Sequence, residues 1–229
     1  MLAQVLLAIA LGLVDPAAAS GAATPLREVV YTASYSDTHS QNTTSYYGNQ
    51  QAEAAQSDRG TITVDVMQVA AGTLGLRVTE TWNSTGTPHT YTGNVGADCS
   101  INFAPESIQM ITRQLLGFFC RSLGSAHAYT ADEQWVVDGP AHTGLKETYD
   151  VTKVDGPKVT IHESRVSNTS TVSAGELSGD STIVYEPTAL APISGSYDLH
   201  IAAGSYATIE EDTILLRFDR VSDSLEPGQ

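Results

Sequence analysis

Thr63-Val64-Asp65-Val66-Met67-Gln68-Val69, closed by Gly72 and answered by Leu76-Arg77-Val78-Thr79-Glu80, returns later as Thr148-Tyr149-Asp150-Val151-Thr152-Lys153-Val154, closed by Gly156 and answered by Val159-Thr160-Ile161-His162-Glu163. Each copy alternates apolar and polar residues over a strand's length, breaks at a glycine, and alternates again, which is the pattern of a half-buried β-hairpin. In both copies the apolar parity slips by one, from Val66 to Val69 and from Val151 to Val154. A bulge, or the onset of the turn, produces such a slip. The repeat then predicts a register: Val66 opposite Val78 and Val151 opposite Ile161, with Asp65 across from Thr79 and Asp150 across from His162 on the other face.

Working outward, Leu26 to Tyr35 alternates as a strand, whereas Gln41 to Asp58 is polar without clear period and reads as a mobile loop or a ragged edge. Further strands are expected at Thr90 to Val95, Ser100 to Phe103, Gln134 to Asp138, Thr171 to Glu176, Ser181 to Glu186, Tyr197 to Ile201 and Ile214 to Val221. One helix is predicted from Pro105 to Arg121. Proline suits its first position, Glu106 complements the positive helix start, and Ile108, Ile111, Leu115 and Phe118 or Phe119 form a stripe at three- and four-residue spacing. The expected organisation is a leader at residues 1–19, an N-terminal strand and polar loop at 20–58, a β-rich domain at 59–221 and a frayed tail at 222–229.

Composition narrows the function classes. The chain has 229 residues, enough for one domain with its own core, and a net charge of −15. Nucleic acid and anionic lipid need basic patches, so neither is an expected partner. Leu2 to Val14 is an apolar run followed by Ala17-Ala18-Ala19, which fits a cleaved export signal with a mature start near Ser20 and a secreted or periplasmic location. No Lys or Arg precedes the run, so either the true start lies upstream or the signal is atypical. No later segment is apolar enough to span a bilayer. Cys99 and Cys120 are the only cysteines, and an even pair in an exported chain reads as one disulfide.

Candidate chemistry is sparse. Asp150 and His162 are the one acid–imidazole pair that the register brings together; a general base needs such an orienting carboxylate, but so does an ordinary surface ion pair. Glu80 and Glu163 fall on the apolar parity of the two return strands, where a paired-acid site needs two carboxylates, or where each strand leaves the core. Trp82 and Trp135 sit at strand ends, as plugs of a core rim or as the mouth of a binding site, and the adjacent Tyr46 and Tyr47 offer a ligand contact on the polar loop. The six histidines show no spacing of three or four, and no phosphate loop or dinucleotide fingerprint is present, so neither a metal nor a cofactor is expected.

Two related hairpin units, the Pro105 to Arg121 helix between them and an export signal together resemble, in layout, the half-barrel proteins of bacterial envelopes such as lipoprotein carriers. The Trp-x-Val-Asp-Gly and Thr-Tyr-x-Val-x-x-Val-x-Gly phrases are similar to those of uncharacterised exported bacterial β proteins. The resemblance implies a sheet curved around a helix and carries over no functional residue. The expected fold is therefore α+β: a curved antiparallel sheet with one principal helix on its concave face. The expected function is a non-enzymatic envelope or secreted binding module for an apolar small molecule, a lipid or an envelope protein segment. The alternatives are a hydrolase using Glu80 and Glu163 or Asp150 and His162, and an interaction protein that pairs through an exposed edge strand.

Overall fold

The computed structural model describes residues 25–45, 48–70, 73–95, 101–103, 111–116, 129–138, 144–167, 176–186, 191–204 and 207–224. Eleven strands follow in chain order: β1 (Arg27–Ser45), β2 (Gly48–Ala70), β3 (Thr73–Trp82), β4 (His89–Val95), β5 (Ile101–Phe103), β6 (Gln134–Asp138), β7 (Leu145–Asp155), β8 (Lys158–Ser167), β9 (Glu176–Glu186), β10 (Ala191–Gly204) and β11 (Thr208–Asp223). They form one sheet in the order β5-β4-β3-β2-β1-β11-β10-β9-β8-β7-β6, with every pairing antiparallel. Among the described residues it is a single open sheet with β5 and β6 at its two edges, in the cyclic order of an up-and-down meander with β11 returning to β1.

One face of the sheet carries the core. Val29, Tyr31 and Ala33 of β1 lie beside Val64, Ile62 and Gly60 of β2, and these beside Val78, Glu80 and Trp82 of β3. In the other direction, Phe218 of β11 pairs with Gly195, Gly195 with Ile183, Ile183 with Ile161 and Ile161 with Val151. The face is concave, because side chains on it meet across an intervening strand. The Tyr31 hydroxyl on β1 donates to the Pro192 carbonyl on β10 at 2.9 Å, and Tyr35 meets Trp82 edge-on with ring centroids 5.5 Å apart. Phe218 fills the space above Gly195, where a Cβ would stand 2.6 Å from a ring carbon. Asp223 closes the end of β11: it is buried and accepts the Arg27 guanidinium.

The α+β expectation is wrong. Among the described residues the only helical segment is 111–116, and nearly everything else is strand. Ile111, Leu115 and Leu116 are buried in the core, so the apolar stripe is real but spans six residues of the described chain rather than a principal layer. The remaining parts of the predicted helix lie outside the described residues, as do Cys99, Cys120, Tyr46, Tyr47 and the leader. Strand content was underread because two hairpins run much further than their apolar alternation. Gln41 to Asp58, read as loop or ragged edge, belongs to β1 and β2, which are 19 and 23 residues long.

The second hairpin has the predicted register, with Val151 opposite Ile161 and Asp150 opposite His162. The first does not: Val66 pairs with Leu76 and Val64 with Val78, so Asp65 faces Arg77 rather than Thr79. The expected register needed a longer first turn. Instead the irregularity sits between Gln68 and Ala70, against the turn, whereas in the second hairpin it sits between Val151 and Lys153. The offset is two residues, so every side chain keeps its face.

Candidate functional site

β8 places two charged side chains where its alternation assigns core. Its inward residues are Val159, Ile161, Glu163, Arg165 and Ser167, and Glu163 has no solvent exposure. Two residues apart on a strand means the same face, so Arg165 folds back to donate from Nε to Glu163 Oε1 at 2.7 Å. Its Nη2 donates to Gln114 Oε1 at 2.7 Å, which ties the helical segment to the sheet. Glu147 on β7 approaches the same Nε at 3.4 Å and accepts the Tyr149 hydroxyl at 3.0 Å. The guanidinium lies over the Tyr197 ring, 5.8 Å from its centroid. Burial works against the charged form of Arg165, yet Glu163 and then Glu147 hold its pKa above the ordinary arginine value.

Aromatic rings form the flank of this cluster. Trp135 of β6 stacks on Tyr149 with centroids 5.0 Å apart and planes 5° apart, and Tyr129 bridges from Trp135 to Tyr185. Two carboxylates share one guanidinium here, and a second Glu163 oxygen and the Ser181 hydroxyl opposite it are buried without a hydrogen bond. The arrangement offers an acceptor and a hydroxyl in an enclosed setting. Among the described residues it lacks the hydrogen bond between a nucleophile and a base that acyl transfer starts from.

The other sequence candidates are dispersed. Glu80 is also fully buried on the inner face, but its Oε2 accepts Trp82 Nε1 at 3.2 Å and its other oxygen has no partner. Among the described residues Glu80 and Glu163 have no partner in common, and the register differs too: Glu80 faces Ile62, whereas Glu163 faces Tyr149. Asp150 and His162 stand side by side on the outer face, yet the imidazole Nε2 reaches Asp180 of β9 at 3.2 Å. Trp82 is buried in the core, and Trp135 is half-buried in its stack.

Arg165, Glu147, Gln114 and Ser181 were not anticipated. Arg165 was legible, because it follows Glu163 on the parity that had already singled out that glutamate. Gln114 was not, since its contact joins elements 51 residues apart.

Among the described residues, no group of three or more His, Cys, Asp and Glu side chains is placed to hold a metal ion, and no helix is long and apolar enough to cross a membrane. The fold and site define a single-sheet, all-antiparallel β protein with a buried acid–arginine cluster. No protein-family model matches the chain, and no curated protein matches it significantly.

Proposed function

We propose that the protein is a non-enzymatic binding module of the exported or envelope type, and that its partner is an extended polypeptide segment added to the free edge of β2. The observation that carries this reading is a stretch of β2 that, among the described residues, is paired on one side only. β1 accompanies β2 from Gly48, whereas β3 joins it only from Gly60. Residues Gly48 to Ser57 are exposed, with one charge, Glu53, and no proline. Sheet edges left open in water are normally blunted by lysine, proline, bulges or a covering element, because alternate residues present unpaired N–H and C=O groups outward. An added strand satisfies those groups along its length.

An apolar ligand has less support, since the concave face is occupied by the protein's own side chains, Tyr31, Ile62, Ile161, Ile183 and Phe218 among them. The hydrolase reading has less support too: Arg165 holds Glu163, Trp82 holds Glu80, and His162 turns to Asp180.

Native mass spectrometry of protein purified from its own host tests the proposal, with Ala52→Pro and Ala55→Pro as variants. The two positions have opposite parity, so one proline removes an N–H facing β1 and the other an N–H facing solvent. A polypeptide that accompanies the wild type and is lost in the solvent-facing variant, with an unchanged thermal midpoint, is the expected outcome. Wild-type protein that arrives alone, or with lipid and no polypeptide, sinks the proposal.

A further inference from the structure

Four arginines of the sheet sit against carboxylates: Arg27 and Arg220 on Asp223, Arg77 on Asp65, and Arg165 on Glu163. Arg59 of β2 and Arg217 of β11 do not. Among the described residues neither guanidinium has an ion pair or hydrogen bond, although the chain carries 26 acids against 11 bases. Both are paired in register with Ser34 of β1, one on each side, so the three side chains form one row on the outer face. The strands bearing the arginines are two strand spacings apart, about 10 Å, a span that two arginine side chains can close over a ligand.

The surface is hollowed at this row. Two adjoining depressions of about 480 and 530 Å³ open there and share Ser34, Arg59, Asn83 and Arg217 as lining. The neighbouring acids do not neutralise the pair. Asp58 is committed elsewhere: its Oδ1 accepts the Arg59 amide at 2.7 Å and its Oδ2 accepts the amide and hydroxyl of Ser84. Those bonds, the Ser84 hydroxyl first, hold its pKa below the ordinary carboxylate value. Asp219 lines the second depression and reaches neither arginine within ion-pair distance.

The geometry points to an anion site in which Arg59 and Arg217 grip a doubly charged oxyanion, a phosphate monoester, over Ser34 and the Asn83 side chain, on a small hydroxylated molecule whose body lies along the hollow. The guanidinium forks supply paired, charge-assisted donors matched to tetrahedral oxyanions. The Ser34 hydroxyl and the Asn83 side-chain amide add neutral donors, and Asp219 is an acceptor for a ligand hydroxyl. Arg59 also marks the place where β3 leaves β2, since the Asn83 backbone N–H donates to the Arg59 carbonyl at 2.9 Å, so the site adjoins the open edge without depending on it.

Isothermal titration of the full chain at low ionic strength, with inorganic phosphate, inorganic sulfate, glucose 6-phosphate and glucose as probes, tests this site. Glucose 6-phosphate is expected to bind more tightly than either inorganic anion, and glucose not to bind. Arg59→Ala and Arg217→Ala each weaken binding about tenfold or more, and Arg217→Gln, which keeps a polar amide donor without the charge, does the same. Lys158→Ala, which removes an exposed cation at the β7–β8 turn, leaves binding unchanged. No heat with any anion, equal loss in the Lys158 variant, or unaltered affinity in the arginine variants overturns the site. Glucose 6-phosphate no tighter than phosphate overturns the hydroxylated body of the ligand.

Discussion

Strand β1 crosses two environments, and its side chains change with them. Over Val29, Tyr31 and Ala33 the inward positions are buried, with exposures of 0%, 0% and 5%. Over Asp37, His39, Gln41 and Thr43 the same parity continues, but neither side of the strand is buried. Polar side chains there bond sideways instead: Asp37 to Gln56, His39 to Asp212, Gln41 to Glu210, and Thr43 to Thr208. A buried large side chain contributes roughly 1.5 to 3 kcal/mol, whereas an exposed cross-strand pair contributes roughly 0.2 to 1 kcal/mol. The packed end therefore stabilises the sheet, and the arm extends it as a polar surface with a free edge.

The sharpest break in that comparison comes from the packed end. Phe218→Ala should cost about 3 to 5 kcal/mol in chemical denaturation, since the ring is buried against Tyr31 and fills the space over Gly195. Arg165→Met should cost about 3 kcal/mol by leaving Glu163 buried and unpaired, at the lower end of the range because Arg165 keeps some exposure. Adding Glu163→Gln to that variant should recover part of the loss, and a double variant as unstable as the single one would show that the pair is not coupled. Gly195→Ala should cost about 1 to 3 kcal/mol through overpacking, and combined with Phe218→Leu it should cost less than the sum of the two.

The arm should respond least, and to pH. The Asp212 hydrogen bond raises the His39 pKa above its ordinary value, so its contribution is complete below about pH 6.5 and disappears as pH rises through the folded value. Amide exchange at Thr38 to Gln41, corrected for intrinsic rates, should be slower at about pH 6 than at about pH 8, and Asp212→Asn should remove the difference. An unchanged pH response in that variant would assign the effect to another group.

How much of this was legible follows from which signals are local. The second hairpin could be read to the residue because its turn, Asp155-Gly156-Pro157-Lys158, is tight and its alternation is apolar. The first was displaced by two residues, because a turn of unknown length leaves register free in steps that preserve the face. The arm was missed because its residues are polar on both faces, so no apolar alternation marks the local β1–β2 pairing, and the β1–β11 side joins partners 165 to 173 positions away, which no local pattern records. Glu163 was singled out by parity, but its guanidinium partner and the Gln114 tie were visible only once β7, β8 and the 111–116 segment were placed together.

By itself the sequence determined the face of almost every strand in the packed region, because period-two alternation is written in adjacent residues and burial selects between only two sides. Only the tertiary structure decided that β11 returns to β1, and that among the described residues β2 is left with an open edge and Arg59 and Arg217 flank Ser34 with no carboxylate at ion-pair distance. Those facts depend on which distant strands become neighbours, a choice made by the summed packing of the sheet rather than by any one segment.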